Sequence, residues 1–90
     1  MSNHCQRQWT GGAGEETPLL AAVEALGLPA GVTRVAFIGT DGYQREVALA
    51  ALRADSTAIL VTSLDGTRRV VFPDRPLSFW IKNLDRVEWR

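Results

Sequence analysis

The sequence has few of the residues that build metal and catalytic sites. Its 90 residues include one cysteine, one histidine and one lysine: Cys5, His4 and Lys82. A lone cysteine forms no disulfide within the chain, which fits a reducing compartment, and one Cys with one His cannot complete a tetrahedral zinc site. A Ser-His-Asp site would need His4 to reach a distant serine with nothing to orient it. We predict no metal ligands and no catalytic residues, so the composition favours a non-catalytic protein.

Net charge and long apolar runs are also missing. Ten basic and ten acidic residues cancel, which argues against a general nucleic-acid or membrane-surface binder. No apolar run approaches the roughly 20 residues of a membrane span. The first residues lack the apolar stretch of a secretory signal. We therefore expect a cytoplasmic protein that binds neither nucleic acid nor membrane.

Composition divides the chain into a short terminal segment and one domain. Residues 1–16 are polar and contain three closely spaced glycines, which predicts a flexible segment. Trp9 is its one large aromatic residue, and we expect it to dock on the core or on a partner. Residues 17–90 are enough for a single domain.

The start of this domain carries the clearest local signal. Thr17 is predicted to cap a helix, Pro18 suits its first position, and Gly27 is placed to end it. Four apolar residues at helical spacing form one face: Leu19, Leu20, Val23 and Leu26.

Strand patterns follow the helix. Strands are predicted over 32–38, 44–47, 58–62, 69–72 and 84–89, with a short helix over 48–54. Asp41-Gly42 and Asp65-Gly66 are typical turn sequences. The last strand has an imperfect alternation of apolar and polar residues, which suits an edge strand less cleanly. These elements predict an α+β domain in which one N-terminal helix packs on a mainly antiparallel sheet.

The closing third of the chain resembles a known family. An apolar strand led by Arg69 ends at Pro73, and a loop then brings Lys82 to the start of a last strand that contains Arg86 and Glu88. This order is similar to the end of the molybdopterin-binding domain of the sulfite oxidase family. Two earlier stretches also resemble that family: Trp9-Thr10-Gly11 before an apolar helix, and the Asp41-Gly42-Tyr43 turn.

The resemblance implies an anion site. It places Lys82 near the phosphate end of molybdopterin and Arg69 in the anion-binding region. A guanidinium can donate two parallel hydrogen bonds to an oxyanion, whereas an ammonium acts as a point charge. With Arg75 as a further cation and Tyr43 as a flat polar ring, the candidate ligand residues are Arg69, Arg75, Lys82 and Tyr43. The alternatives are that Arg69 pairs with an acidic neighbour, that Lys82 is solvated and that Tyr43 packs beside its turn.

This chain departs from the family pattern at positions that the family's molybdenum chemistry needs. The family's molybdenum-binding cysteine lies well before the tryptophan-glycine turn, and only eight residues precede Trp9 here. A metal thiolate needs rigid support, so we do not carry that role onto Cys5. The family's His-Gly-x-Pro loop also has no counterpart between Gly66 and Arg69. The resemblance therefore implies a truncated, C-terminal part of the fold, with molybdopterin as a cofactor by resemblance alone.

Two functions are compatible with this pattern. The first is a stand-alone, non-catalytic module that binds a pterin-like or other small anionic ligand. The second is a protein interaction or homodimerisation module, because three tryptophans, Trp9, Trp80 and Trp89, are many for 90 residues and exposed aromatic residues favour interfaces.

Overall fold

Strands contain more of the described residues than helices do. A computed structural model describes residues 4–5 and 16–90 of the chain, so most of the predicted flexible segment, and the predicted docking of Trp9, lie outside the described residues. The strands are β1 (His4–Cys5), β2 (Glu16–Pro18), β3 (Arg34–Gly39), β4 (Gln44–Ala48), β5 (Ile59–Thr62), β6 (Arg68–Val71) and β7 (Leu84–Trp89). The helices are α1 (Leu19–Ala25) and α2 (Leu49–Ala54), with a 3₁₀ turn at Leu77–Phe79.

The strands form two antiparallel sheets. The first has the order β1-β7-β3-β4 and the second the order β2-β5-β6. The α+β class, with an N-terminal helix packed on mainly antiparallel strands, is confirmed. Val70 of β6 pairs with Ile81, and the chain from Ile81 continues into β7. One extended segment therefore contacts both sheets in turn.

The last strand lies inside its sheet, which its imperfect alternation did not indicate. β7 lies between β1 and β3. Val87 is fully buried and lies opposite Phe37 of β3. The polar residues Arg86 and Glu88 alternate to the other face, where they form an ion pair with each other. The polar positions are thus satisfied on the outer face of an internal strand.

The start of α1 differs from the predicted cap. Thr17 belongs to β2, and Pro18 is the capping residue, without a side-chain hydrogen bond. The backbone N–H of Leu19 donates to the carbonyl of Ala58 at 2.9 Å. The carbonyl of Ala58, the residue before β5, therefore satisfies the first free N–H of the helix, a role that a capping side chain often has. The predicted end is confirmed, since Gly27 adopts a φ of 88°.

A single apolar core lies between α1 and the two sheets. Phe37 of the first sheet meets Phe72, which follows β6, edge to face with ring centroids 6.1 Å apart. Both rings are fully buried. The other fully buried large side chains are Leu19, Leu26, Leu52, Leu60, Ile81, Val23, Val35, Val70 and Val87.

A ladder of charges covers the outer face of the first sheet. Ala36 and Ile38 of β3 point away from Phe37 yet are buried, and their cross-strand neighbours on that face are charged or polar. The ion pairs run as a chain: Arg34 with Glu46, Glu46 with Arg90 at 3.2 Å, Arg90 with Glu88 at 2.6 Å, Glu88 with Arg86 at 3.2 Å, and Arg86 with Asp85 at 3.0 Å. The hydrogen bond from Arg34 is the main cause that lowers the pKa of Glu46, and the one from Arg90 is the main cause for Glu88.

Truncating one ring of the aromatic pair should be costly. Phe37→Ala leaves a cavity at the meeting point of the two sheets, and we expect the free energy of unfolding to fall by about 3–5 kcal/mol. Urea denaturation measures this change. Leu64→Ala is the matched control, because Leu64 is 88% exposed and its loss should change stability by less than about 0.5 kcal/mol. Equal effects of the two substitutions would contradict the assigned core.

The charge ladder predicts a dependence of stability on pH. The pKa values of Glu46 and Glu88 are lowered from the model-compound value of 4.5, so the folded state binds fewer protons than the unfolded state in acid. Their contribution is complete above pH 4.5 and is lost as pH falls through the lowered folded pKa values. Urea midpoints measured from pH 6 to pH 2 should therefore decline in acid. Glu46→Gln with Glu88→Gln should flatten that decline, and an unchanged slope in the double variant would refute the assignment.

Candidate functional site

Two of the four predicted ligand residues line one cavity. Tyr43 precedes β4, Lys82 precedes β7, and both border a cavity of about 300 Å³. The remaining lining residues are Gly39, Asp41, Leu77, Trp80, Ile81 and Asn83. This volume is at the lower end of the range for small-molecule sites, about 300–1,000 Å³.

Backbone pairing brings these two residues together although they lie far apart in the sequence. The N–H of Thr40, in the turn between β3 and β4, donates to the carbonyl of Asn83 at 2.9 Å. Gly39 pairs with Leu84 at a register shift in the ladder between β3 and β7. The turn that carries Tyr43 and the segment that carries Lys82 therefore lie side by side at one end of the first sheet.

Gly39 suits this close approach. A Cβ atom at this position would lie 3.0 Å from Oδ1 of Asp41 and 3.3 Å from the carbonyl oxygen of Asn83. Both atoms belong to the rim of the cavity. A side chain at position 39 would crowd the Asp41 side chain and the Asn83 carbonyl, which would have to move by a few tenths of an ångström.

Tyr43 is held at both ends. Its N–H donates to Oδ1 of Asp41 at 2.9 Å, which closes the turn that Gly42 completes with a φ of 86°. Its hydroxyl donates to the carbonyl of Ser78. The ring is 40% exposed, so the cavity has a fixed aromatic wall that solvent can reach.

Trp80 forms another wall. Its Nε1–H donates to the carbonyl of Phe72 at 3.0 Å, and its side chain packs, half-buried, against the core. The ring borders the cavity of about 300 Å³.

Arg75 lies elsewhere. Its guanidinium carbon is 5.1 Å from the centre of the Phe79 ring and 5.7 Å from that of Phe72. It lines a different cavity, which Asp55 and Asp74 also border. The hydroxyl of Thr57 is the main cause that lowers the pKa of Asp55, and the charge of Arg75 adds to it. Arg75 therefore has acidic neighbours.

Arg69 is also away from the cavity. It lies on β6 opposite Val61, is exposed, and is adjacent to the buried Val70. Successive residues of a strand alternate between faces, so Arg69 projects from the outer face of the second sheet. The predicted set thus separates into a pair at the cavity, Tyr43 and Lys82, and two arginines at other places.

Sequence reasoning missed Arg45. Its guanidinium carbon is 4.9 Å from the centre of the Tyr43 ring and 5.5 Å from that of Phe79, and its Nε donates to the carbonyl of Ser78 at 2.9 Å. With Arg75 it completes an alternating stack of rings and guanidinium groups: Tyr43, Arg45, Phe79, Arg75 and Phe72. The available signal was the spacing of Tyr43 and Arg45, which places both on one face of a strand.

The described residues do not fit a complete molybdopterin. Of the three predicted cations, Lys82 alone borders the cavity. Within residues 16–90, no group of three or more His, Cys, Asp or Glu side chains is arranged to hold a metal ion. A phosphate-bearing cofactor needs more than one cationic group at one place.

The expected tryptophan surface is also not present among the described residues. Trp80 and Trp89 are half-buried and pack against the core. The exposed large apolar side chains of residues 16–90 are Tyr43, Leu64 and Leu77. A homodimer stays a prediction, without support from these two tryptophans.

Comparison with protein-family models, curated proteins and solved structures found no match.

None of the helices within residues 16–90 is long and apolar enough to cross a membrane.

Removing the Tyr43 hydroxyl should loosen the wall of the cavity without unfolding the domain. In Tyr43→Phe the carbonyl of Ser78 keeps its hydrogen bond from Arg45. We therefore expect a loss of about 0.5–1.5 kcal/mol in the free energy of unfolding, measured by urea denaturation. A loss above about 3 kcal/mol would contradict this expectation, because it would mean that the hydrogen bond stabilises the whole domain and not only the loop that contains Ser78.

Proposed function

We propose that this domain is a non-catalytic binding module that holds a small planar anion in the cavity lined by Tyr43, Trp80 and Lys82. The observation that supports this most is the meeting of two predicted ligand residues, Tyr43 and Lys82, at one cavity with a second aromatic wall. Aromatic walls suit a flat ligand, and one ammonium suits a single anionic group. The proposed similarity to the sulfite oxidase family makes pterins the first class of compounds to test.

Trp80 provides a direct optical test. A carboxylated pterin added to the purified protein should quench tryptophan fluorescence in a saturable way, and Trp80→Phe should remove most of that signal. The same compound should raise the melting temperature, because a ligand that binds only the folded state stabilises it. No saturable change in either measurement with pterins, phosphate or small carboxylates would refute the proposal.

Lys82→Ala tests the assigned cation. Charge-assisted hydrogen bonds contribute about 1.5–3 kcal/mol, so we expect roughly tenfold weaker binding of the carboxylated pterin or more. The melting temperature of the free protein should change little, since Lys82 is exposed. Arg53→Ala is the matched control, because Arg53 is an exposed cation on α2 that does not border this cavity. Equal affinities of the two variants would exclude Lys82 from the site.

A further inference from the structure

Arg45 is an unusual arginine in this structure. It is half-buried, lies between the rings of Tyr43 and Phe79, and is fixed by the 2.9 Å hydrogen bond from its Nε to the carbonyl of Ser78. Two aromatic faces and one carbonyl therefore hold the guanidinium in one orientation. Its terminal Nη atoms take part in no hydrogen bond within the described residues.

The charge of Arg45 has no carboxylate partner within residues 16–90. Arg34, Arg86 and Arg90 each form ion pairs with carboxylates, and Arg75 shares its cavity with Asp55 and Asp74. A partly buried cation is costly unless other groups compensate it. The ring faces supply part of that compensation. The remaining donors are the Nη groups, which match the geometry of an oxyanion.

We propose that the Nη groups of Arg45 form an oxyanion subsite beside the cavity, for a carboxylate or phosphate group of the bound molecule. Tyr43 connects the two places, since its ring borders the cavity and also contacts the Arg45 guanidinium. The bound molecule would then be planar with an acidic substituent, its flat part in the cavity and its acid group at Arg45. That composite ligand rests on the proposed function, whereas oxyanion binding at Arg45 does not.

The unmodified protein gives the first test. Inorganic phosphate should move the side-chain NMR signals of Arg45 in a saturable way and leave those of Arg53 in place. Arg53 is an exposed arginine on α2 and reports the effect of ionic strength alone. Absence of a saturable shift at Arg45, with phosphate and with benzoate, would overturn the inference. A larger shift with one of the two anions identifies the acid group that the subsite prefers.

A matched pair of variants separates binding from packing. Arg45 and Arg75 both contact the Phe79 ring, so each substitution to Gln removes one guanidinium from the same stack. Arg45→Gln should weaken binding of the preferred anion about tenfold or more, and Arg75→Gln should change it less than about twofold. Arg45→Lys should give an intermediate affinity, because lysine keeps the positive charge but cannot donate the two parallel hydrogen bonds of a guanidinium. Equal losses in the two Gln variants would indicate a general effect on the loop and would overturn the inference. If Arg45→Gln does not fold, the Lys variant and the NMR titration decide.

Pterins with and without a carboxylate separate this inference from the proposed function. In Arg45→Gln the carboxylated pterin should lose affinity, and the neutral pterin should bind as it does to the unmodified protein. A carboxylated pterin that binds both proteins equally would overturn the subsite and leave the cavity proposal in place. Phosphate binding at Arg45 without pterin binding would support the subsite and remove the support for a pterin-class ligand.

Discussion

The pairing of Val70 with Ile81 is the interaction on which the rest of the structure depends. Each residue donates its N–H to the other's carbonyl, at 2.8 and 3.1 Å. Both side chains are buried, so the two bonds are shielded from water and difficult to replace. This pairing joins the second sheet to the segment that becomes β7 of the first. It also closes the loop of residues 72–80 and sets Lys82 next to the β3–β4 turn.

The closed loop is held by the buried ring of Phe72 and by hydrogen bonds to its backbone. None of the residues of its 3₁₀ turn is buried. The carbonyl of Ser78 accepts hydrogen bonds from Tyr43 and Arg45, and that of Phe72 accepts one from Trp80. The stack of rings and guanidinium groups lies along the same loop. A small domain buries limited apolar surface, and here hydrogen bonds help to order a loop whose 3₁₀ turn is not buried. The same hydrogen bonds fix Tyr43 and Trp80, the two aromatic residues that border the cavity.

Charge is distributed in two different ways on the two sides of the first sheet. On the outer face, arginine and glutamate side chains neutralise one another and cover Ala36 and Ile38. On the inner face, Arg45 is compensated by ring faces and a carbonyl. The sequence does not distinguish these arginines, because their roles depend in part on side chains from other strands and loops, such as Glu46 for Arg90 and Phe79 for Arg45.

The amino-acid sequence by itself determined the class and most of the elements. The helix ending at Gly27, the strands and the glycine turns follow from periodicity and backbone preference, which are local properties. The cap of α1, the internal position of β7 and the separation into two sheets were decided by tertiary structure, since Ala58, Phe37 and Ile81 supply the partners from distant parts of the chain. The candidate site was likewise determined partly by the sequence and partly by the tertiary structure. Residue type suggested Tyr43 as a candidate, and the family resemblance suggested Lys82. Pairing between strands placed these two at one cavity and left Arg69 and Arg75 at other places, and it positioned Arg45 beside Tyr43.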